Sequence, residues 1–216
     1  MSAALRQQKL AGLFASATVI PVLTIDRLAD AVPLAKALVA GGVRVLEVTL
    51  RTPVAIEAAR AMIAEVPEAI VGIGTILNGD DLARARAAGA AFGISPGATP
   101  ELLKAAAAGD LPFAPGIATA SELMAALAHG FDIVKFFPAE SSGGIKALRA
   151  LAGPFPNVRV CPTGGIGEAN ALAWLAEPNV LAVGGSWLCP VSDIKSSNWA
   201  GISAMCARAM KLLKPA

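Results

Sequence analysis

Eight short apolar runs, rich in β-formers, recur along the chain, and Ala/Leu-rich stretches fill the gaps between them. The runs are VIPVLT (19–24), VRVLEVTL (43–50), AIVGIGTI (69–76), AFGISP (91–96), LPFAPGIA (111–118), DIVKFFPA (132–139), NVRVCPTG (157–164) and NVLAVGGS (179–186). Their spacing of about 20–25 residues leaves room for a crossover helix in each gap. Several of the intervening stretches carry Asp, Ser or Thr near the start and Gly just past the end, as helix caps require. Strands alternating with helices demand a parallel sheet. Eight such units with almost continuously apolar strands favour a closed (β/α)8 barrel of the TIM type over an open doubly wound sheet, which is the alternative. Residues 1–15 read as an extra N-terminal helix at the barrel floor, and the last helix as running from Ser196 to Leu213. No linker divides the chain, so residues 1–216 form one domain in this reading.

Composition narrows the class. Hydrophobic residues make up 55% of the 216 residues, yet the longest uncharged run, residues 10–25, is sixteen residues long and broken by Pro21. A spanning helix needs roughly 20 apolar residues. No signal-peptide pattern opens the chain, so a cytoplasmic protein with no membrane partner is expected. The net charge is +2 with scattered basic residues, which offers nucleic acid no footprint. Cys161, Cys189 and Cys206 are far apart and form neither a disulfide framework nor a metal motif.

The charges within the runs are few. Of eight lysines only Lys135 falls inside a strand, and of sixteen carboxylates only Glu47 lies mid-strand. Side chains alternate faces along a strand, so Glu47, Thr49 and Arg51 share one face and Leu46, Val48 and Leu50 the other. Lys135 and Phe137 likewise share a face. If both polar sets point inward, Lys135 and Glu47 meet near the C-terminal strand ends, where barrel active sites are built. An enclosed apolar site disfavours an ammonium ion, and a neutral amine can attack a ketone to form a Schiff base. A carboxylate beside it can move protons. One amine and one carboxylate suffice for metal-independent aldol chemistry. A structural ion pair explains the same spacing, and on spacing alone both readings stay open.

Two glycine pairs end the last two runs, in CPTGGIGEAN (161–170) and VGGSW (183–187). Gly164, Gly165, Gly184 and Gly185 let backbone N–H groups approach an anion, with the Ser186 hydroxyl beside them. A helix N-terminus near Glu168 is expected to add its dipole. Ordinary βα turns are the plain alternative. Arg51 suits a carboxylate clamp or a surface rim, and Thr75 and Pro96 end their runs at the same mouth. His129 precedes Gly130 at a helix end, where an imidazole suits the dipole. Glu140 reads as a loop-bonding residue.

Taken in order, GGVRVLEVTLRT, VPEAIVGIGT, ISPG, PGIAT, VKFFPAE, KALRALAGPF, CPTGGI and GGSWL resemble the 2-keto-3-deoxy-6-phosphogluconate (KDPG) aldolases, class I aldolases of the Entner–Doudoroff pathway. The resemblance covers about residues 32–190. It implies Lys135 as Schiff-base lysine and Glu47 as general acid/base. Arg51 and Thr75 are implied at the substrate carboxylate, Pro96 and Phe137 in the pyruvyl pocket, and Thr163 near the substrate hydroxyls. Gly164, Gly165, Gly185 and Ser186 are implied at the phosphate. It further implies a homotrimer with no metal and no cofactor. Family members also cleave 4-hydroxy-2-oxoglutarate, which carries no phosphate. A non-catalytic barrel sensing a phosphorylated metabolite is the remaining alternative. The N-terminal helix and the segment after Pro190 match poorly, and fold and site are expected not to depend on them.

Overall fold

The structure is a computed structural model that describes residues 2–213; Lys214 and the ends of the expected single domain lie outside the described residues. The chain opens with helix α1 (Ala3–Ala15) and then alternates β1 (Val19–Leu23), α2 (Leu28–Ala40), β2 (Val45–Thr49), α3 (Ala55–Glu65), β3 (Ile70–Gly74) and α4 (Gly79–Ala87). It continues through β4 (Gly93–Ile94), α5 (Pro100–Ala108), β5 (Phe113–Ala114), β6 (Gly116–Ile117), α6 (Ala120–Ala128) and β7 (Ile133–Phe136). The last part holds α7 (Gly144–Ala152), β8 (Arg159–Pro162), α8 (Ala171–Leu175), β9 (Val183–Gly185), α9 (Val191–Lys195) and α10 (Trp199–Leu212). Local chemistry sets several helix starts. Asn78 and Thr99 cap α4 and α5, and Thr119 with Glu122 forms a reciprocal capping box on α6.

Every strand pair is parallel, as the alternation requires. The strands form a six-stranded sheet in the order β5-β4-β3-β2-β1-β9 and a three-stranded sheet β6-β7-β8. The fold class is therefore α/β with a parallel sheet that curves through half a barrel, and one continuous eight-stranded ladder is not what the pairing forms. The fifth expected strand is split at Pro115, which has no N–H to give to a ladder. Between β8 and β9 only isolated parallel bridges occur, Val160 with Val180 and Thr163 with Gly184. The C-terminal helix also departs from expectation. It begins at Trp199, not Ser196, because the Asn198 side chain accepts from the Gly201 N–H, and α9 precedes it as a separate turn.

The two strand faces pack differently. Leu46, Val48, Val134 and Phe136 lie in the large core beneath the helices. The other face contributes Ile20, Val45, Ile94, Ile133, Cys161 and Ala182 to a smaller core with Leu10 and Phe14 of α1. Phe14 meets Phe92 edge to face at 5.5 Å. The Gln7 amide is fitted between strands, donating to the Phe113 carbonyl at 3.1 Å and accepting from the Ile133 N–H at 3.0 Å. The expected N-terminal helix thus seals the apolar floor. Two residues further along the strands, the same face carries Glu47, Lys135 and Thr163, so it passes from apolar floor to polar site within one side-chain repeat.

On the outer surface, Arg149 of α7 donates twice to Glu177 from Nε, at 3.0 and 3.2 Å, and once from Nη2. The hydrogen bond from Arg149 holds the Glu177 carboxyl below its ordinary value of 4.5, against the opposing effect of burial. A lowered folded value means the contribution is full above pH 4.5 and fades as pH falls through the folded value. Glu177→Gln is therefore expected to lower Tm by about 2 °C at pH 7, with the difference closing below pH 4.5; thermal melts across pH check this.

Candidate active site

Strand alternation delivers both charged side chains to one place. Lys135 is the third residue of β7 and Glu47 the third of β2, and Lys135 Nζ donates to Glu47 Oε1 at 3.1 Å. Lys135 is 4% exposed and Glu47 1%. Gly74 makes room for the Glu47 carboxylate. Gly72 is the register partner of Glu47, and a methyl group on Gly74 would overlap the Glu47 carboxylate. Gly116 is the register partner of Lys135, and its Cα packs against the Pro96 carbonyl. Thr75, next after Gly74, has a φ of 59°, a conformation that a β-branched residue adopts only where its surroundings impose it. Neither Thr75 nor Pro96 lines the wider cavity described next.

The Phe137 ring centroid lies 5.2 Å from Nζ, within reach of a cation–π contact. Cys161 sits directly beside Lys135 in register. Burial pushes its thiol up to about 12, with Lys135 pulling the other way, so it is a neutral thiol at physiological pH.

Phe137 also faces a cavity of about 280 Å³, whose wall includes Arg51, Thr163, Gly164, Gly165, Gly185 and Ser186. Arg51 has no ion-pair partner among the described residues, which leaves its guanidinium free for an anion. Thr163 is 5% exposed and its Oγ1 has no hydrogen-bond partner there. Gly184 lies off the wall, its Cα covered by the Thr163 hydroxyl. The expected helix N-terminus near Glu168 is displaced: α8 begins at Ala171 and is five residues long, because Asn170 first closes a turn by accepting the Gly167 N–H. The backbone at this end of the cavity is therefore a turn and not a helix N-terminus.

The cavity also includes residues the sequence reading passed over. Val22 of β1 and Thr24, one residue past its end, are two apart, a period-2 signal that carried no charge to draw attention. Val191 and Ile194 of α9 line the wall as well, which corrects the expectation that the segment after Pro190 leaves the site untouched. His129 stays outside, its Nδ1 2.9 Å from the Ala125 carbonyl at the end of α6. Glu140 bonds Asn170 and Trp174. Among the described residues no helix is long and apolar enough to cross a membrane.

Fold and site together define an α/β enzyme with a lysine and a carboxylate paired near the carboxyl ends of parallel strands. Residues 11–205 match the family model for KDPG and KHG aldolases. The KHG/KDPG aldolase of Escherichia coli K12 is 55% identical over 193 residues, covering 89% of this chain and 91% of the relative. The 2-dehydro-3-deoxy-phosphogluconate aldolase of Dickeya dadantii is 55% identical over 192 residues, covering 89% and 90%. The KDPG aldolase of Legionella pneumophila, solved with pyruvate captured at low pH as a covalent carbinolamine intermediate, superposes with a TM-score of 0.90 at 49% identity, covering 92% of this chain and 97% of that one. The chain belongs to the KDPG and KHG aldolase family.

Proposed function

We propose that this protein is a class I aldolase that cleaves KDPG to pyruvate and glyceraldehyde 3-phosphate through a Schiff base on Lys135. The observation that carries this reading is the buried Lys135–Glu47 contact of 3.1 Å beside a cavity with a free arginine and two glycine turns. The Lys135 amine adds to the C2 carbonyl, and the carbinolamine loses water to give an iminium. Glu47 moves the protons of this dehydration and then accepts the C4 hydroxyl proton. The C3–C4 bond breaks, its electron pair enters the iminium to give an enamine, and the aldehyde leaves. Protonation at C3 and hydrolysis return pyruvate and free Lys135. Arg51 clamps the substrate carboxylate with Thr75, Pro96 and Phe137 around the pyruvyl group. Thr163 faces the hydroxyls, and Gly164, Gly165, Gly185 and Ser186 hold the phosphate.

The reading includes a single-domain (β/α)8 barrel, which the isolated parallel bridges Val160–Val180 and Thr163–Gly184 between the two sheets support. A cytoplasmic homotrimer follows from the family resemblance. A second reading, 4-hydroxy-2-oxoglutarate as main substrate, has the double name of the Escherichia coli relative in its favour. Steady-state pyruvate release separates them. A kcat/KM at least about tenfold higher on KDPG is expected from the charge-assisted bonds that phosphate adds. An equal or reversed ratio would transfer the main activity to the unphosphorylated acid.

A further inference from the structure

The turn Thr163–Ile166 is held from behind by side chains that do not line the cavity. Gly164 and Gly165 have φ values of 102° and 76°, which glycine adopts without strain. The Gly164 carbonyl accepts from the Glu140 N–H at 3.1 Å, and the Gly165 carbonyl accepts from Asn170 Nδ2 at 3.1 Å. In a trans peptide the N–H points opposite to the carbonyl. Tying these two carbonyls on the outer side therefore turns the N–H groups of Gly165 and Ile166 the other way, and neither has an acceptor among the described residues. Both residues line the cavity.

Asn170 is itself fixed at every polar atom. Its Oδ1 accepts from the Gly167 N–H at 2.8 Å, and its Nδ2 also donates to Glu140 Oε1 at 3.1 Å. Trp174 Nε1 donates to the same oxygen at 2.7 Å, and the Trp174 ring lies 6.3 Å from that of Phe136, the residue after Lys135. Glu140 follows the lysine strand by a few residues, and a methyl group on Gly165 would crowd its Cβ at 2.6 Å. One network thus joins the lysine strand to the glycine turn.

We infer that Asn170, backed by Glu140 and Trp174, is a positioning residue that aims the Gly165 and Ile166 amides at the phosphate end of the substrate. This rests on the reading that the glycine turn receives phosphate. The test compares wild type, Asn170→Asp and Glu140→Gln on KDPG and on 4-hydroxy-2-oxoglutarate, with inorganic phosphate as inhibitor of the second reaction. Asn170→Asp keeps the acceptor for Gly167 but loses the donor to the Gly165 carbonyl and sets two carboxylates together. Its KM for KDPG is expected to rise about tenfold and phosphate inhibition to weaken by a similar factor, while kcat/KM on the phosphate-free acid stays within about twofold. Asn170→Ser, which retains an acceptor without a second carboxylate, carries the same expectation if the aspartate variant does not fold. Glu140→Gln keeps an acceptor oxygen and lifts a negative charge from behind the turn, so its KM for KDPG should equal or fall below that of wild type. Equal losses on both substrates, or an unchanged KM for KDPG in a folded Asn170 variant, would overturn the positioning role. If wild type itself shows neither phosphate inhibition nor preference for KDPG, the phosphate reading of the turn falls first, and the inference with it.

Discussion

Replacing Lys135 by methionine is expected to abolish cleavage, with kcat falling by at least about 10⁴-fold, because no other group at the site can form the iminium. Cys161, its neighbour in register, is a neutral thiol and is not a substitute. The loss should be chemical and not a failure to fold. Methionine matches the lysine stem in length, but it leaves Glu47 buried without its cation, which costs about 3 kcal/mol. The double variant Lys135→Met/Glu47→Gln removes both charges and should regain most of the lost Tm while staying inactive. Thermal melts beside steady-state rates check this: recovery of activity with the recovered Tm would mean that Lys135 acts only as a structural ion.

Glu47→Gln is expected to lower kcat by about 10²–10⁴-fold, the usual worth of a positioned proton-transfer group. The glutamine occupies the same volume above Gly74, so the pocket keeps its shape. Lys135 remains, so the variant should still form a covalent adduct with pyruvate, but more slowly. KM should change little, since Glu47 is assigned to proton movement and Arg51 to binding. Rapid-mixing measurement of adduct formation beside kcat tests this; a variant with full kcat would remove Glu47 from the mechanism.

Much of the site was legible because side-chain alternation is a local property. Period 2 gave each strand a polar face, and with both faces turned inward Glu47 and Lys135 meet at 3.1 Å. The same rule set Leu46, Val48 and Leu50 on the opposite face, and they pack in or against the large core. What could not be read depended on register and long-range contact. That Gln7 would join Phe113 to Ile133 links positions more than a hundred residues apart, with no periodic trace. Val191 and Ile194 reach the cavity because a short helix folds back over the strand ends after Pro190, a tertiary event outside any repeat. The helix after the seventh run starts later than its glycines implied, because the Asn170 side chain captures the Gly167 amide first. The fifth run was read as one strand although it holds Pro115, and the pairing splits it there.

The central claim is that Lys135 is the covalent nucleophile. Active protein treated with pyruvate and sodium borohydride, then digested and mapped by mass spectrometry, tests it most directly. Activity is expected to fall in step with one reduced pyruvyl adduct per chain, on the peptide carrying Lys135, with none on the Lys135→Met variant. An active protein that gives no adduct, or gives it on another lysine such as Lys146, would contradict it.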